Sequence, residues 1–348
     1  MGRAPRRVSA RRDILGPRLD WPLIILAPAG ALLVGLALAQ TPLGAAPISA
    51  FGARGTPADG FIGAFIMAHL VIVFFRSHAN PEIFRQYPFR FKWVPVLLFA
   101  ALLSSLWVRA AVTVLATWWD VYHSSLQTFG IGRIYDAKEG NDPEAGRSLD
   151  LGLNLFLYIG PILGGASFLY HLGSFHEFTG LAGSAFFKAI PGAAMERQAW
   201  ILRGVLLTGI PFIAWYWAAY RRLARAGYRI SRRKLWLFIS TAACSIWAWG
   251  WNPFGMALFI MNFFHALQYF AVVWAYEERS ILRVFGLRNG RSERALGLFV
   301  FVGTAFLYGC FGSIAGDRND VVLCLTLVVS IMHFWYDGFI WSVRRAQV

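Results

Sequence analysis

The sequence predicts an all-α fold, a polytopic transmembrane bundle of about ten spans with both termini cytoplasmic. Three observations predict it. The 348 residues are 57% hydrophobic and only 15% charged, outside the balance of soluble domains. Apolar runs near twenty residues recur along the chain, the length a helix needs to cross a bilayer core of ~30 Å. Basic residues gather in alternate connections, as the positive-inside rule requires.

In chain order, residues 1–20 form a basic cytoplasmic segment carrying Arg3, Arg6, Arg7, Arg11 and Arg12. A run at 21–40 resembles a secretory signal with Ala37-Leu38-Ala39 as its cleavage site, but it is long for that role and is read as a retained first span. Span 2 covers 59–76 and ends before Asn80-Pro81, because the residue before proline avoids the helical region. The stretch 93–136 would be ~66 Å long as one helix, twice the hydrocarbon thickness, so it is divided at Arg109 into spans 93–108 and 110–134. Span 5 covers 150–170, interrupted by Gly160-Pro161 and Gly164-Gly165. The remaining spans are 200–220, 235–251, 255–276, 296–315 and 321–343, so that 21–343 is one transmembrane domain and 344–348 a short cytoplasmic tail.

Loop charge tests the count. With residue 1 inside, the inner segments hold 27 of the 33 Lys and Arg residues, and 221–234 alone holds seven with no acid. Fusing 93–136 into one span would put that run outside, against the rule. The basic residues behind the net charge of +15 are distributed as in a membrane protein, expected in the bacterial inner membrane, and a nucleic-acid partner is not expected. Cys244, Cys310 and Cys324 lie in apolar runs without CxxC spacing and read as packing residues.

The polar residues inside the spans carry the functional reading. Trp118 to Asp136 is apolar enough to be lipid-buried yet carries Asp120, His123 and Gln127 at i, i+3 and i+7, one helical stripe. His69, His265 and His333 lie on three other spans at a similar depth, roughly 10–18 Å inside the inner boundary. Ionisable groups at that depth are costly and mark cavities, partners or metals. Three of the histidines repeat a local device: Gln127 follows His123 at i+4, Gln268 follows His265 at i+3, and Asp337 follows His333 at i+4.

A single intramembrane histidine is more often an interhelical hydrogen-bonding residue than a ligand. Four at matched depth with matched companions shift the expectation to metal ligation by His69, His123, His265 and His333. Asp120, Gln127, Gln268, Asp337 and His78 follow as catalytic or orienting groups. Arg76 and Arg133 read as anchors at the inner boundary. His171 and His176 read as interface residues at the outer end of span 5.

Imidazole with carboxylate or amide oxygen suits iron, zinc or copper, and the lack of thiolate ligands argues against iron–sulfur. A centre of one metal ion or two in such surroundings is expected to act on a lipophilic substrate that arrives from the lipid bilayer, with room for a redox partner. Apolar walls of Phe263, Phe264, Phe270, Trp274, Phe334 and Trp335 permit this. Two rival readings use the same residues: haem b held by histidine pairs in an electron-transfer or pigment-binding subunit, and a transporter relaying protons through buried histidines.

In layout, His69, His123, His265 and His333 resemble the ligands of the histidine-rich integral-membrane non-haem iron oxygenases. Single histidines scattered over several spans, with Tyr122-His123-Ser124, are more similar to the bacterial carotenoid-cleaving membrane dioxygenases. That resemblance implies iron near the cytoplasmic face and dioxygen chemistry on lipids.

Overall fold

The computed structural model describes residues 12–39, 41–45, 48–50, 53–165, 196–252, 254–316, 319–343 and 347–348. The elements in order are α1 (Pro17–Asp20), a π-helical turn (Trp21–Ile25), α2 (Ala27–Ala39), α3 (Pro42–Ala45), a short antiparallel hairpin of β1 (Ile48–Ala50) and β2 (Ala53–Gly55), α4 (Pro57–Val71), α5 (Val73–Ser77), α6 (Pro81–Gln86), α7 (Pro88–Ser104), α8 (Leu106–Lys138), α9 (Arg147–Gly165), α10 (Gln198–Arg225), α11 (Arg232–Trp251), α12 (Phe254–Val284), α13 (Arg291–Ala315) and α14 (Asp320–Ile340). The ten expected spans fall largely on helices, with non-helical residues at Leu26, Ile72 and Ser105 and over 341–343.

Apolarity supports fewer crossings than ten. Among the described residues, six helices are long and apolar enough to cross a membrane, or up to seven if the pair Pro17–Ile25 and Ala27–Leu38, bent by 55°, is one span. The helices α7, α8 and α11 are not among the six. Polar side chains such as Asp120, His123 and Gln127 in α8 and Lys234, Ser240, Thr241 and Ser245 in α11 dilute their hydropathy. The turn expected at Arg109 lies instead at Ser105, whose backbone is extended (φ −145°, ψ 120°). Arg109 stays helical, with its guanidinium 2.7 Å from Asp320.

Two compact units divide the chain. One contains Met1–Leu32, Val121–Met261 and Val343–Val348, the other Leu33–Asp120 and Asn262–Ser342.

In the first unit α9 packs on α10 and α11. Pro161 inside α9 has no N–H for the Leu157 carbonyl, and the Ser245 hydroxyl of α11 donates to that oxygen at 2.6 Å. A proline fault in one helix thus becomes a tie to its neighbour. The turn into α11 is fixed by Gly227 (φ 98°), where Tyr228 N–H reaches the Leu223 carbonyl and Gly227 N–H the Ala224 carbonyl. This is a Schellman closure, which requires a left-handed residue. Ser231 then caps α11 by accepting from Lys234 N–H, which sets Lys234 into the interior.

In the second unit α4 lies against α13 and α14. Close packing of backbones decides which faces of these apolar helices meet. Small residues supply it: a Cβ on Gly309 of α13 would run into the Ala64 carbonyl and the Ala68 amide of α4. Phe65, Ile72 and Phe75 continue the same packed face against Phe270, Phe301 and Ile331. This seam holds the last turn of α4, where His69 sits.

A candidate metal centre

Three of the expected ligands meet in the second unit. His69 comes from α4, His265 from α12 and His333 from α14, and each is fully buried at 0% exposure. The His69 ring stands edge-on to His265, with centroids 5.0 Å apart, and edge-on to His333 at 5.1 Å. His265 and His333 are 6.4 Å apart. One ring nitrogen from each falls within 4.8 Å of those of the other two. Ligand bonds of ~2.0–2.1 Å set tetrahedral N···N separations near ~3.4 Å, so closure on an ion needs ring movements of about 1 Å.

Among the described residues, neither ring nitrogen of His69 has a hydrogen-bond partner. The backbone of Ile66 and Phe65, on its own helix, approaches the ring without reaching hydrogen-bond geometry. A buried imidazole with both nitrogens unsatisfied is costly, and a cation shared with two neighbouring imidazoles would satisfy one of them.

Around the three rings, Tyr269 stands one turn beyond His265. Its ring is edge-on to His333 at 4.6 Å, and its hydroxyl donates to Asp337 Oδ1 at 2.8 Å. The same oxygen accepts from the Trp341 indole N–H at 2.9 Å. Asp337 Oδ2 lies 4.0 Å from His333 Nε2, so the carboxylate approaches the imidazole while its firm bonds go to the two aromatic donors. Gln268 is fully buried on α12. Asp120 takes a side-chain hydrogen bond from Asn262.

His78 does different work. Its Nε2–H donates to the Phe91 carbonyl at 3.0 Å, and Nδ1 lies 2.9 Å from the Ser77 hydroxyl. With both nitrogens engaged, His78 is not in the histidine group. His123 and Gln127 belong to the first unit, where His123 is buried and Gln127 half-buried on α8. His171 and His176 lie outside the described residues.

Buried ion pairs are what the sequence reading missed. Arg76, expected as a boundary anchor, is buried and lies 2.5 Å from Glu277, which also accepts from Asn80, while its guanidinium covers the Trp341 ring at 4.4 Å. In the first unit Arg133 reaches Asp136 at 2.7 Å and Asp150 at 2.8 Å, and Lys234 reaches the same two carboxylates at 2.6 and 3.2 Å. Tyr216 and Tyr220 donate to the other Asp150 oxygen. Two cations against two carboxylates leave no net charge, so this network ties α8, α9, α10 and α11 together and offers little to a charged ligand. An acid within seventeen residues of Arg133 was a usable signal; Glu277, 201 positions from Arg76, was not.

No protein-family model, curated protein or solved structure matches this chain.

Proposed function

We propose that this chain is an integral-membrane oxidoreductase of the bacterial inner membrane. In this reading it crosses the membrane ten times, with both ends cytoplasmic, and His69, His265 and His333 hold an iron ion that uses dioxygen on a lipophilic substrate. The observation that carries the reading is the meeting of three fully buried imidazoles from three helices, each with a ring nitrogen within 4.8 Å of the others. Three imidazoles from separate helices leave coordination positions open for oxygen and substrate, which is what catalytic sites keep and structural sites fill.

The company of the rings favours a redox ion over zinc. Tyr269 and Trp341, both oxidisable, converge on Asp337 beside His333. The same crowding weighs against haem b, because a porphyrin needs clear space between two facing imidazoles. Here the third imidazole and the Tyr269 ring, 4.6 Å from His333, take that space. Substrate would reach the site sideways from the bilayer, since the rings lie inside long apolar helices.

Elemental analysis and an absorption spectrum of the detergent-purified protein test this. About one iron per chain, lost in the histidine variants, is the expected result. Protein free of transition metal, or a Soret band with haem iron, would overturn it.

A further inference from the structure

We infer that Tyr269 is a redox-active side chain of the histidine centre, giving it one electron while its phenolic proton passes to Asp337. This rests on the proposal that His69, His265 and His333 bind a redox metal, and adds a role for a residue outside that ligand set. In the step, the centre, previously oxidised by dioxygen, is reduced by one electron. The Tyr269 O–H bond breaks, an O–H bond forms on the Asp337 carboxylate, and a neutral tyrosyl radical remains. An external one-electron reductant then restores the phenol as the proton returns.

Three relations single out Tyr269. Its ring lies against a proposed ligand, 4.6 Å from His333, and 6.4 Å from His69, a short path for an electron. Its hydroxyl donates at 2.8 Å to a carboxylate, a group able to accept the proton as the electron leaves. Tyr336, on the same helix as His333, is the internal contrast: its hydroxyl donates to the Arg90 carbonyl at 3.2 Å, and an amide oxygen does not take up a proton. The third relation concerns Trp341, whose indole shares Asp337 with Tyr269 and whose ring lies 6.4 Å from it. Among the described residues the Trp341 ring meets the rings of Tyr269 and, at 5.8 Å, Tyr276, and no proposed ligand imidazole, so Tyr269 stands between that indole and the histidines.

The arrangement suits a centre that must take electrons singly in a site closed to water. A structural tyrosine would need only a hydrogen-bond partner for its hydroxyl; contact with a ligand imidazole and a proton-accepting carboxylate go beyond that need.

The test uses full-length protein in detergent, loaded with ferrous iron under argon, mixed with oxygenated buffer and freeze-quenched for electron paramagnetic resonance. Wild type and Y336F are expected to give a narrow tyrosyl line that changes shape when ring-deuterated tyrosine is supplied. Y269F should lose the line with its iron content unchanged, and D337N should lower the yield on the order of tenfold or more. A tyrosyl line in Y269F equal to that of wild type overturns the assignment, as does wild-type protein that binds and oxidises iron without forming a radical. Should Y269F also lose iron, 3-fluorotyrosine placed at position 269 decides, because fluorine splits the line only if the radical resides there. Wild-type protein that takes up no iron overturns the histidine centre itself, and the tyrosine role with it.

Discussion

The Nε2–H of His78 donates to the carbonyl of Phe91, the oxygen that Pro95, four residues further along α7, leaves without its helical donor. An imidazole placed after span 2 thus repairs a fault in the next helix, as the Ser245 hydroxyl repairs the one at Pro161 in the other unit.

Pairing His78 with Pro95 makes a double-mutant cycle informative. H78A should cost about 1–3 kcal/mol, the penalty for stranding a buried carbonyl. In a P95A background, where the helix regains its own N–H donor, most of that cost should vanish. Equal costs in both backgrounds, measured by thermal unfolding in detergent, would show that the carbonyl is not what His78 serves.

The same residue sets a pH dependence. Burial holds the His78 imidazole below its ordinary 6.5, partly offset by the Phe91 carbonyl. Above 6.5 folded and unfolded chains both carry it neutral. Below 6.5 the unfolded chain takes up a proton that the folded chain resists, so stability falls as the pH drops through that window. The melting temperature of wild type should therefore decline relative to that of H78Q between about pH 6.5 and pH 5. Parallel curves would remove His78 as the cause.

For the proposed metal centre, H69A, H265A and H333A are each expected to drop iron content to background, whereas H78A keeps it, since both His78 nitrogens are engaged elsewhere. Loss of one imidazole from a three-ligand site removes a third of its protein donors, and affinity falls by orders of magnitude. Full iron content in all three alanine variants, read by mass spectrometry against protein concentration, would abolish the assignment.

How much of this the sequence revealed depends on whether a feature is local. Asn80-Pro81 marks the end of span 2 through backbone sterics alone, and α5 stops at Ser77, after which Asn80 caps α6 by accepting from the Glu82 and Ile83 amides. Depth along a span is also local, which is why His69, His123, His265 and His333 rank together from the sequence; depth alone does not tell that His123 belongs to the other unit. Pairing is not local. Length divides 93–136 at Arg109 in the sequence, but Arg109 is helical and pairs with Asp320, 211 positions later. The number of helices apolar enough to cross a membrane falls below the ten expected spans for a related reason: α8 and α11 carry polar groups whose partners lie on other helices, and hydropathy scores the groups without the partners.

Gly309 and Gly303 of α13 offer a matched comparison of packing. A Cβ at Gly309 would collide with α4 backbone, while nothing lies within 4 Å of one at Gly303. G309A should cost about 1–3 kcal/mol, the range for overpacking against rigid backbone, and reduce iron content as α4 shifts beneath His69. G303A should be neutral or mildly stabilising, because alanine favours helix over glycine by ~1 kcal/mol. If the two variants melt alike, the close approach of α4 and α13 is not what seats His69.

Lys234 gives the sharpest prediction for the first unit. Its ammonium faces Asp136, Asp150 and the hydroxyls of Tyr220 and Tyr228, all within 3.3 Å. Burial and the neighbouring Asp150 push the Asp136 carboxyl up against the pull of Lys234, so the network balances only while both cations are present. K234M leaves one carboxylate uncompensated and should destabilise by about 3–5 kcal/mol. Adding D136N removes the stranded charge and should recover a large part of that loss, since deleting a buried pair together is far milder than deleting one member. Iron content in the double variant should match wild type, because these residues neutralise one another and no ligand of the histidine centre lies among them. Losses that simply add in K234M/D136N would mean that the two side chains do not act as a pair.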